Sequence, residues 1–513
     1  MLQLPTTGDA DTGIVGTAVK PGQRSPTTVY ERENQVLAYG WESLTQGDIQ
    51  RINGITNGVL AKKCTCPLPE TEAAFAIAAC LYTGRRLAEL AALPIRIISH
   101  WPLALSAPEN PAGLYKVSEH WGWLLPAGRP GKQTYQNDKA AEQSINRSDN
   151  LWLPTTLGVI ALVEMSLRQR EAGSTGAHLP MFQTPVSILR EMMLALLRSD
   201  QSVRRAGTTV EAVERWLTGA VRFHSGGDPA VGKVMTDRSD LRSKTTSYYT
   251  SVTQPQIEAA WTATVSPVTP IIVRAAPSAA LRAQSYGSRY CPTETEMALL
   301  RTKLVDAVTN ADNPAELHRA QTLYTVVFLT VGIALRPSEY PAMARRCYDR
   351  ITGFGVVDDK RQSDGFTVRL TWFPPALRSQ LAIHDGLLAK LAPEITSIDA
   401  KSPDASTPPG YRFYSRDERG RLCRTNTRDV LYSLKSRHDC HFVPNFARHF
   451  LRSRLVGQCS SETLHAFMGH SLSGTEPWGT QSGFDPLLYR EELMQTLVPL
   501  LADRGWSAMA SST

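Results

Sequence analysis

Two apolar segments that each end in arginine constrain this chain more than any other feature. The run AAFAIAACLYTG is followed at once by Arg85 and Arg86. In the second half of the chain, FLTVGIAL is followed by Arg336 and, three residues later, by Glu339. A guanidinium group beside an apolar core is costly unless polar or anionic partners meet it. Each segment therefore predicts a buried helix that presents arginine to a specific partner.

Length and composition set the broad class of the protein. A chain of 513 residues is too long for one ordinary core and predicts two or three domains. Its 42% hydrophobic and 20% charged residues are typical of a soluble globular protein. The net charge of +7 is compatible with a polyanionic partner without establishing one. Because no run has membrane-spanning length or the pattern of a signal peptide, we expect a cytoplasmic protein with no membrane partner.

The eight cysteines do not predict a metal centre. They contain no CxxC pair, and Cys64-Thr65-Cys66 lacks the histidines at metal-ligand spacing that a zinc site needs. Scattered cysteines of this kind are typical of free thiols in a reducing compartment. We therefore expect neither a metal nor a cofactor.

Composition and periodicity divide the chain into four segments. We expect a mainly α fold with small β-sheets (α+β), in which strands lie near residues 114–155 and a β-hairpin lies near residues 351–373. Thr293 and Glu296 form a capping-box pattern that opens a helix after a proline-rich stretch. The predicted segments are a flexible leader (1–30), a helical region (31–262), a linker (263–290) and a second domain (291–513).

Five side chains stand out in the second domain because of their order. They are Arg336, Lys360 in the hairpin, Arg448 in NFARHFLRSRL, His470 in FMGHS, and Tyr489 in FDPLLYREEL. This order resembles the tyrosine recombinase (phage integrase) family, whose boxes run GLRxSE, LRHxxAT, LGH and then a nucleophilic tyrosine. The resemblance covers roughly residues 290–500 and implies a carboxy-terminal catalytic domain of that fold.

The spacing within the resemblance chooses between two arginines. From Arg448 to His470 the chain runs 22 residues, close to the interval of the family, whereas His449 and Arg452 form a literal HxxR that lies too near His470. Arg448 is therefore favoured, and Arg452 remains the alternative. Asn445 then stands where the family has histidine. Tyr489 follows His470 by 19 residues, which is longer than the common interval.

The resemblance implies DNA strand exchange through a 3′-phosphotyrosyl intermediate. Two arginines would bind the phosphate, Lys360 would protonate the leaving oxygen, and His470 would bind the phosphate or help to deprotonate Tyr489. Glu339, Asn445 and His449 would support the site. The implied partners are double-stranded DNA, further copies of the chain in a homo-tetramer, and accessory DNA-bending or directionality proteins. Such a protein would act on a mobile element at the nucleoid.

Two other functions remain open. A type IB topoisomerase-like nicking and closing enzyme would use the same chemistry without a second DNA site. A non-catalytic DNA-binding protein on a decayed recombinase fold would account for Asn445 and for the distant Tyr489.

The first half of the chain repeats part of the pattern. Arg86 follows its apolar run, Lys132 lies in a hairpin-like stretch, Arg215 lies 22 residues before Asp237, and Tyr248 follows in KTTSYYTSV. Three interpretations remain open: chance, a decayed duplicate kept for DNA binding or assembly, and a half that supplies the active tyrosine, Tyr248.

Under either non-chance interpretation the first half would form an arm that closes around DNA. The basic side chains expected to contact phosphates are Lys62, Lys63, Arg204, Arg205, Arg238, Arg242 and Lys244.

Overall fold

A computed structural model describes most of the chain. The described residues are 43–62, 65–98, 111–117, 120–129, 138–145, 147–170, 178–199, 208–225, 228–238, 243–271, 279–337, 348–358, 368–395, 413–417, 419–470, 477–478 and 482–509. Helices dominate, and the strands form small sheets, which confirms the predicted α+β class. We call residues 43–290 the amino-terminal half and residues 291–509 the carboxy-terminal half.

The amino-terminal half consists of helices, a five-stranded sheet and a two-stranded sheet. Its helices are α1 (Gln46–Ala61), α2 (Leu68–Thr83), α3 (Leu87–Ala91), α4 (Asp138–Glu142), α5 (Leu157–Gln169), α6 (Val186–Ser199), α7 (Val210–His224), α8 (Pro229–Thr236), α9 (Ser243–Tyr249), α10 (Gln254–Val265) and α11 (Ala279–Arg282). Its strands are β1 (Pro94–Ile98), β2 (Gly113–Val117), β3 (His120–Pro126), β4 (Asn150–Leu153), β5 (His178–Pro180), β6 (Ser251–Thr253) and β7 (Ser285–Gly287).

The main sheet has five strands in the order β4-β3-β2-β1-β5. Strands β1 and β2 run parallel, with Ile95 opposite Leu114, and the other neighbours are antiparallel. Leu114 also pairs with Trp123, which in turn faces Leu153, so large apolar side chains cross the sheet in one row. The strands expected near residues 114–155 are thus confirmed.

Helix α2 lies at the centre of the amino-terminal half. Every residue from Thr71 to Thr83 is buried, so the helix has no solvent-facing stripe. It packs against α1, α5, α6 and α7. Gly84 ends it in the left-handed conformation, at φ 67°, which glycine adopts without steric cost.

The carboxy-terminal half has the same plan with fewer strands. Its helices are α12 (Glu294–Thr309), α13 (Pro314–Gly332), α14 (Pro375–Lys390), α15 (Thr427–His438), α16 (Phe446–Leu455), α17 (Ser461–Met468) and α18 (Pro486–Asp503). Its strands form two hairpins: β8 (Phe354–Asp358) with β9 (Val368–Trp372), and β10 (Tyr414–Arg416) with β11 (Leu422–Arg424). The first is the hairpin predicted near residues 351–373.

Helix α13 is the buried centre of this half, as α2 is of the other. It packs against α12, α14, α15 and α16. Thr293 caps α12, since its hydroxyl accepts a hydrogen bond from the Glu296 amide at 3.1 Å, as the sequence predicts. Trp506, which follows α18, stacks on Phe328 of α13 at 5.4 Å and closes the core.

The two halves share one core. A single continuous cluster of buried apolar side chains extends from Ile49 to Trp506. Segment 263–290, expected to be a linker, instead contains the end of α10, all of α11 and strand β7, which pairs with β6. The proline-rich composition of this segment did not predict the strand, because β7 is short and is stabilised by contacts with residues distant in sequence. Tyr286 of β7 is fully buried and hydrogen-bonds Gln254.

None of the helices in the described part of the chain is both long enough and apolar enough to cross a bilayer. The described cysteines are free thiols, and among them Cys423 is the exposed one.

Candidate functional site

The carboxyl end of α17 gathers basic side chains from three distant parts of the chain. Gly469 ends the helix in the left-handed conformation, at φ 62°, which turns the last carbonyl groups away from the helix. Arg336, which follows α13, donates from Nη2 to the Gly469 carbonyl at 2.8 Å and to the Met468 carbonyl at 3.3 Å. The first predicted arginine therefore lies beside the predicted Gly-His pair.

Arg448 reaches one of these carbonyl groups, that of Met468, from α16. Its Nη2 donates to the Met468 carbonyl at 2.6 Å, and its Nη1 donates to the Ala334 carbonyl at 2.7 Å. The same Nη2 lies 2.9 Å from His470 Nε2. Arg336, Arg448 and His470 thus form one cluster, as the spacing predicts.

A third arginine, Arg369 of β9, belongs to the cluster although the sequence did not single it out. Its guanidinium donates to the Phe467 carbonyl at 2.6 Å and to the Ile333 and Ala334 carbonyls at 3.0 and 3.3 Å. Ala334 has φ 51°, a conformation that costs a residue with a side chain about 1 kcal/mol or more. This turn directs the Ala334 carbonyl toward both Arg369 and Arg448.

The surroundings of His470 disfavour its charged form. Burial and the positive charges of Arg448, Arg452, Arg336 and His465 hold its pKa well below 6.5. Since Nε2 faces the Arg448 donor, the proton of the neutral ring lies on Nδ1. That nitrogen is buried and has no hydrogen-bond partner among the described residues, so it can donate to an anion. The field that lowers this pKa also attracts negative charge.

Tyr489, the predicted nucleophile, lies in an aromatic cluster at the start of α18. It is fully buried, with Trp478 at 5.3 Å, Phe484 at 5.7 Å and Phe354 of β8 at 6.4 Å between ring centroids. Its hydroxyl faces Thr371 of β9, and burial raises its pKa. In this conformation the side chain is closed to solvent.

The other predicted residues of α16 face the amino-terminal half. Arg452, the alternative second arginine, forms a buried ion pair with Asp228 and donates to Thr250 Oγ1 at 3.1 Å. His449 Nδ1 lies 2.7 Å from Ser288 Oγ. Asn445 begins the helix without a side-chain cap and accepts the backbone N–H groups of residues 448 and 449 through its carbonyl. The geometry therefore favours Arg448 over Arg452 for the cluster.

An aromatic side chain of the amino-terminal half completes the surroundings of the cluster. Tyr249, the last residue of α9, stacks on His470 with 5.2 Å between centroids and 23° between ring planes. The Arg448 Cζ lies 5.0 Å from the same ring. Tyr248, the alternative nucleophile, instead packs on His449 at 5.2 Å. Docking of the halves thus places Tyr249, rather than Tyr248, at the cluster.

Several predicted residues lie outside the described part of the chain. These are Glu339, Lys360, Lys63, Lys132, Arg204, Arg205 and Arg242; of Lys244 the backbone alone is described, in α9.

The amino-terminal half contains a related arrangement at the end of α8. Asp237 ends that helix in the left-handed conformation, at φ 54°, as Gly469 ends α17. Arg85, which follows α2, donates to the Met235 carbonyl at 3.1 Å and to the Pro126 carbonyl. In each half, therefore, an arginine after the buried helix binds carbonyl groups near the end of a short helix.

The amino-terminal arrangement differs in the charge at its centre. Glu214 of α7 accepts the Leu87 amide at 2.9 Å and pairs with Arg238 at 3.1 Å. Glu214 thus links the residues after α2 to the residues after α8, as Arg448 links the residues after α13 to the end of α17. Unlike Arg448, Glu214 is an acid. A carboxylate at this position opposes the binding of a phosphate.

The structure shows where four of the residues predicted for the first half lie. Arg86 is 66% exposed and pairs with Glu89, so Arg85 is the buried arginine of that motif. Arg215 faces solvent, because one position along α7 turns a side chain by about 100° and Glu214 takes the inward direction. Arg238 pairs with Glu214 and donates to the Gly84 carbonyl, so its guanidinium group makes contacts within the protein. Lys62 is exposed and pairs with Glu70 at 2.6 Å.

A cleft of about 500 Å³ runs from Pro337, next to Arg336, along helix α15. Arg428, Tyr432 and Lys435 line it at helical spacing, and Tyr432 is 65% exposed. Basic and aromatic side chains on one helix face are typical of nucleic-acid contacts. The pattern TRDVLYSLK could have suggested this surface from the sequence.

Within the part of the chain that the structure describes, no group of three or more histidine, cysteine, aspartate or glutamate side chains is arranged to hold a metal ion. Comparison with known proteins finds no family model, no curated protein and no solved structure that matches this chain.

Proposed function

We propose that this protein is a tyrosine-type DNA strand transferase, which cleaves and rejoins DNA through a 3′-phosphotyrosyl intermediate. One observation supports the proposal above all: Arg336, Arg448 and His470, which are distant in sequence, meet at the carboxyl end of α17. Their order and spacing are those of the tyrosine recombinase family. Two arginines and a hydrogen-bond donor at one point suit a phosphodiester.

The chemistry follows from these groups. Strand transfer develops charge on the non-bridging phosphate oxygens, and planar guanidinium groups can contact two of them at once. His470 would donate from Nδ1 to an oxygen of the same phosphate, since its Nε2 faces Arg448 and its buried Nδ1 has no hydrogen-bond partner among the described residues. The tyrosine hydroxyl loses its proton to water, its oxygen forms a bond to phosphorus while the bond to the 5′ oxygen breaks, and Lys360 supplies the proton to that leaving oxygen.

Tyr489 must leave its aromatic cluster before it can act. Burial raises its pKa and thereby disfavours the phenolate that attacks phosphorus. In the proposed cycle, DNA binding along α15 and Arg336 moves the beginning of α18 and brings the hydroxyl to the phosphate. A type IB topoisomerase-like enzyme would use the same residues on one DNA site.

A second candidate is a DNA-binding protein without strand-transfer activity. The burial of Tyr489 and the acidic Glu214 in the amino-terminal arrangement favour it. On this alternative the amino-terminal half is a duplicate that has lost its phosphate site and serves in binding or assembly.

Trapping of a covalent adduct tests the proposal. The substrate is duplex DNA from the ends that flank the gene, nicked next to the cleavage position so that religation is prevented. Wild-type protein and the remote variant Tyr115→Phe should form an adduct that resists denaturants, whereas Tyr489→Phe should form none. If wild type binds this DNA but never forms an adduct, the binding protein is the better assignment. If Tyr489→Phe still forms one, peptide mapping would identify the true nucleophile.

A further inference from the structure

We propose that Tyr249 is a positioning residue of the phosphate site, so that the amino-terminal half completes a site carried by the carboxy-terminal half. This inference rests on the proposed function, because it gives Tyr249 a role at the proposed phosphate site. The contact itself can be tested without DNA.

The position of Tyr249 is set by contacts of the two residues that follow it in the chain. Thr250 Oγ1 accepts from Arg452 at 3.1 Å, and the Ser251 amide donates to Ser453 Oγ at 2.8 Å. Behind them, Arg452 forms its buried ion pair with Asp228. These bonds attach the end of α9 to the face of α16 that also carries Arg448. Movement of Tyr249 away from the cluster would therefore break several buried polar contacts.

The ring of Tyr249 covers two groups that the chemistry needs. It lies nearly parallel to His470, and it also lies against the Arg448 guanidinium. Stacking and cation–π contacts of this kind are favourable. They hold both side chains in the orientation that joins Arg448 Nη2 to His470 Nε2 at 2.9 Å.

The same ring covers one face of the His470 side chain. Arg448 and Arg452 of α16, Arg336 after α13, and His465 of α17 are the charged and titratable groups that act on this histidine. Because a ring stacked on one face limits the approach of water, these charges stay weakly screened and oppose protonation of His470. An alanine at position 249 would admit water, which screens these charges.

The test uses the full-length protein and inorganic phosphate as the probe. Histidine side chains are labelled with carbon-13, and the His470 signal is identified from its loss in a His470→Gln variant. The pKa of His470 and the phosphate concentration that half-shifts its signal are measured for wild type, Tyr249→Phe, Tyr249→Ala and the control Tyr290→Ala. Tyr290 packs on α16 through His449 at 5.9 Å, so its removal tests general loss of packing at the junction.

The proposal predicts that Tyr249→Phe behaves as wild type, since the ring is sufficient. Tyr249→Ala should raise the pKa of His470 toward 6.5 and weaken phosphate binding by about tenfold. Tyr290→Ala should change neither quantity in this way. Three results would each overturn the proposal: an unchanged pKa of His470 in Tyr249→Ala, tighter phosphate binding by Tyr249→Ala, or a loss of phosphate binding in Tyr249→Phe equal to that in Tyr249→Ala.

Failure of the proposed function would look different. If phosphate shifts the His470 signal neither in wild type nor in any variant, the phosphate site itself is absent. The comparison of His470 pKa values would still show whether Tyr249 positions His470.

Discussion

Arg452 and Asp228 are the most deeply buried charged pair in the contact between the halves. Each side chain is at most 1% exposed, and each has a second role: Arg452 binds Thr250, and Asp228 caps α8 by accepting the Ala230 amide at 2.8 Å. A charge with no access to water depends on its partner, because the interior does not solvate it.

Removal of one partner should therefore cost more than removal of both. Asp228→Asn keeps the helix cap but leaves Arg452 as an uncompensated buried charge, and it should lower the free energy of unfolding by about 3–5 kcal/mol. The double variant Asp228→Asn, Arg452→Met should recover much of that loss. Urea denaturation of the three proteins measures both effects. A loss under about 1 kcal/mol in Asp228→Asn would contradict this account.

The end of α17 is the structural element on which the phosphate site depends. Gly469 has φ 62°, and a Cβ added there would lie 2.8 Å from Arg369 Cδ and 3.3 Å from Arg336 Nη2. Any other residue would therefore both strain the backbone and displace two arginines of the cluster.

Gly457 offers a matched control for this element. It has φ 74°, but a Cβ added there meets open space. Gly457→Ala and Gly469→Ala should both lose about 1 kcal/mol of stability from the left-handed backbone. Only Gly469→Ala should also lose about tenfold or more in the rate of adduct formation, because its arginines are displaced. Equal activity of the two variants would show that the carbonyl groups of α17 do not organise the site.

At the scale of the whole molecule, α16 joins the two halves. Its Arg448 belongs to the cluster, while His449, Arg452 and Ser453 bind residues of the amino-terminal half. The expected arm that closes around DNA would therefore have to move against these contacts. Opening of the halves and exposure of the site are coupled in this architecture.

A fall in pH should lower the free energy of unfolding of the protein. Burial and Arg448 lower the pKa of His449 to about 3, and burial together with neighbouring arginines lowers the pKa of His318 to about 4. Between these values and 6.5 the unfolded chain binds more protons than the folded one. The contribution of each buried neutral histidine to the free energy of unfolding is therefore fully present above pH 6.5 and is lost as the pH falls toward 4. The loss is on the order of 3 kcal/mol for a histidine whose pKa is lowered by two units or more.

Chemical denaturation between pH 7 and pH 5 measures this effect, because carboxylates hardly titrate in that range. The His318→Gln variant, which cannot take up this proton, should show a shallower fall than wild type. Identical slopes would mean that His318 is solvated in the folded protein.

Local pattern was sufficient for the elements and for part of the site. The apolar runs before Arg85 and Arg336 form buried helices, the alternating segment near residue 360 includes a hairpin, and the interval from Arg448 to His470 corresponds to a real contact. Hydrogen bonds within helices and hairpins connect residues near in sequence, so periodicity and capping residues encode them.

Tertiary packing, within each half and between the halves, determined the rest. Tyr249 contacts a histidine more than two hundred positions away, and Glu214 faces inward where Arg215 was expected. The Tyr489 side chain is enclosed by Phe354 of β8 and by Trp478, which lies before α18. Such contacts depend on how packed surfaces meet, and a single sequence does not record which surfaces those are. The family-like order of side chains could therefore be recognised along the chain, but their enclosure by the other half could not.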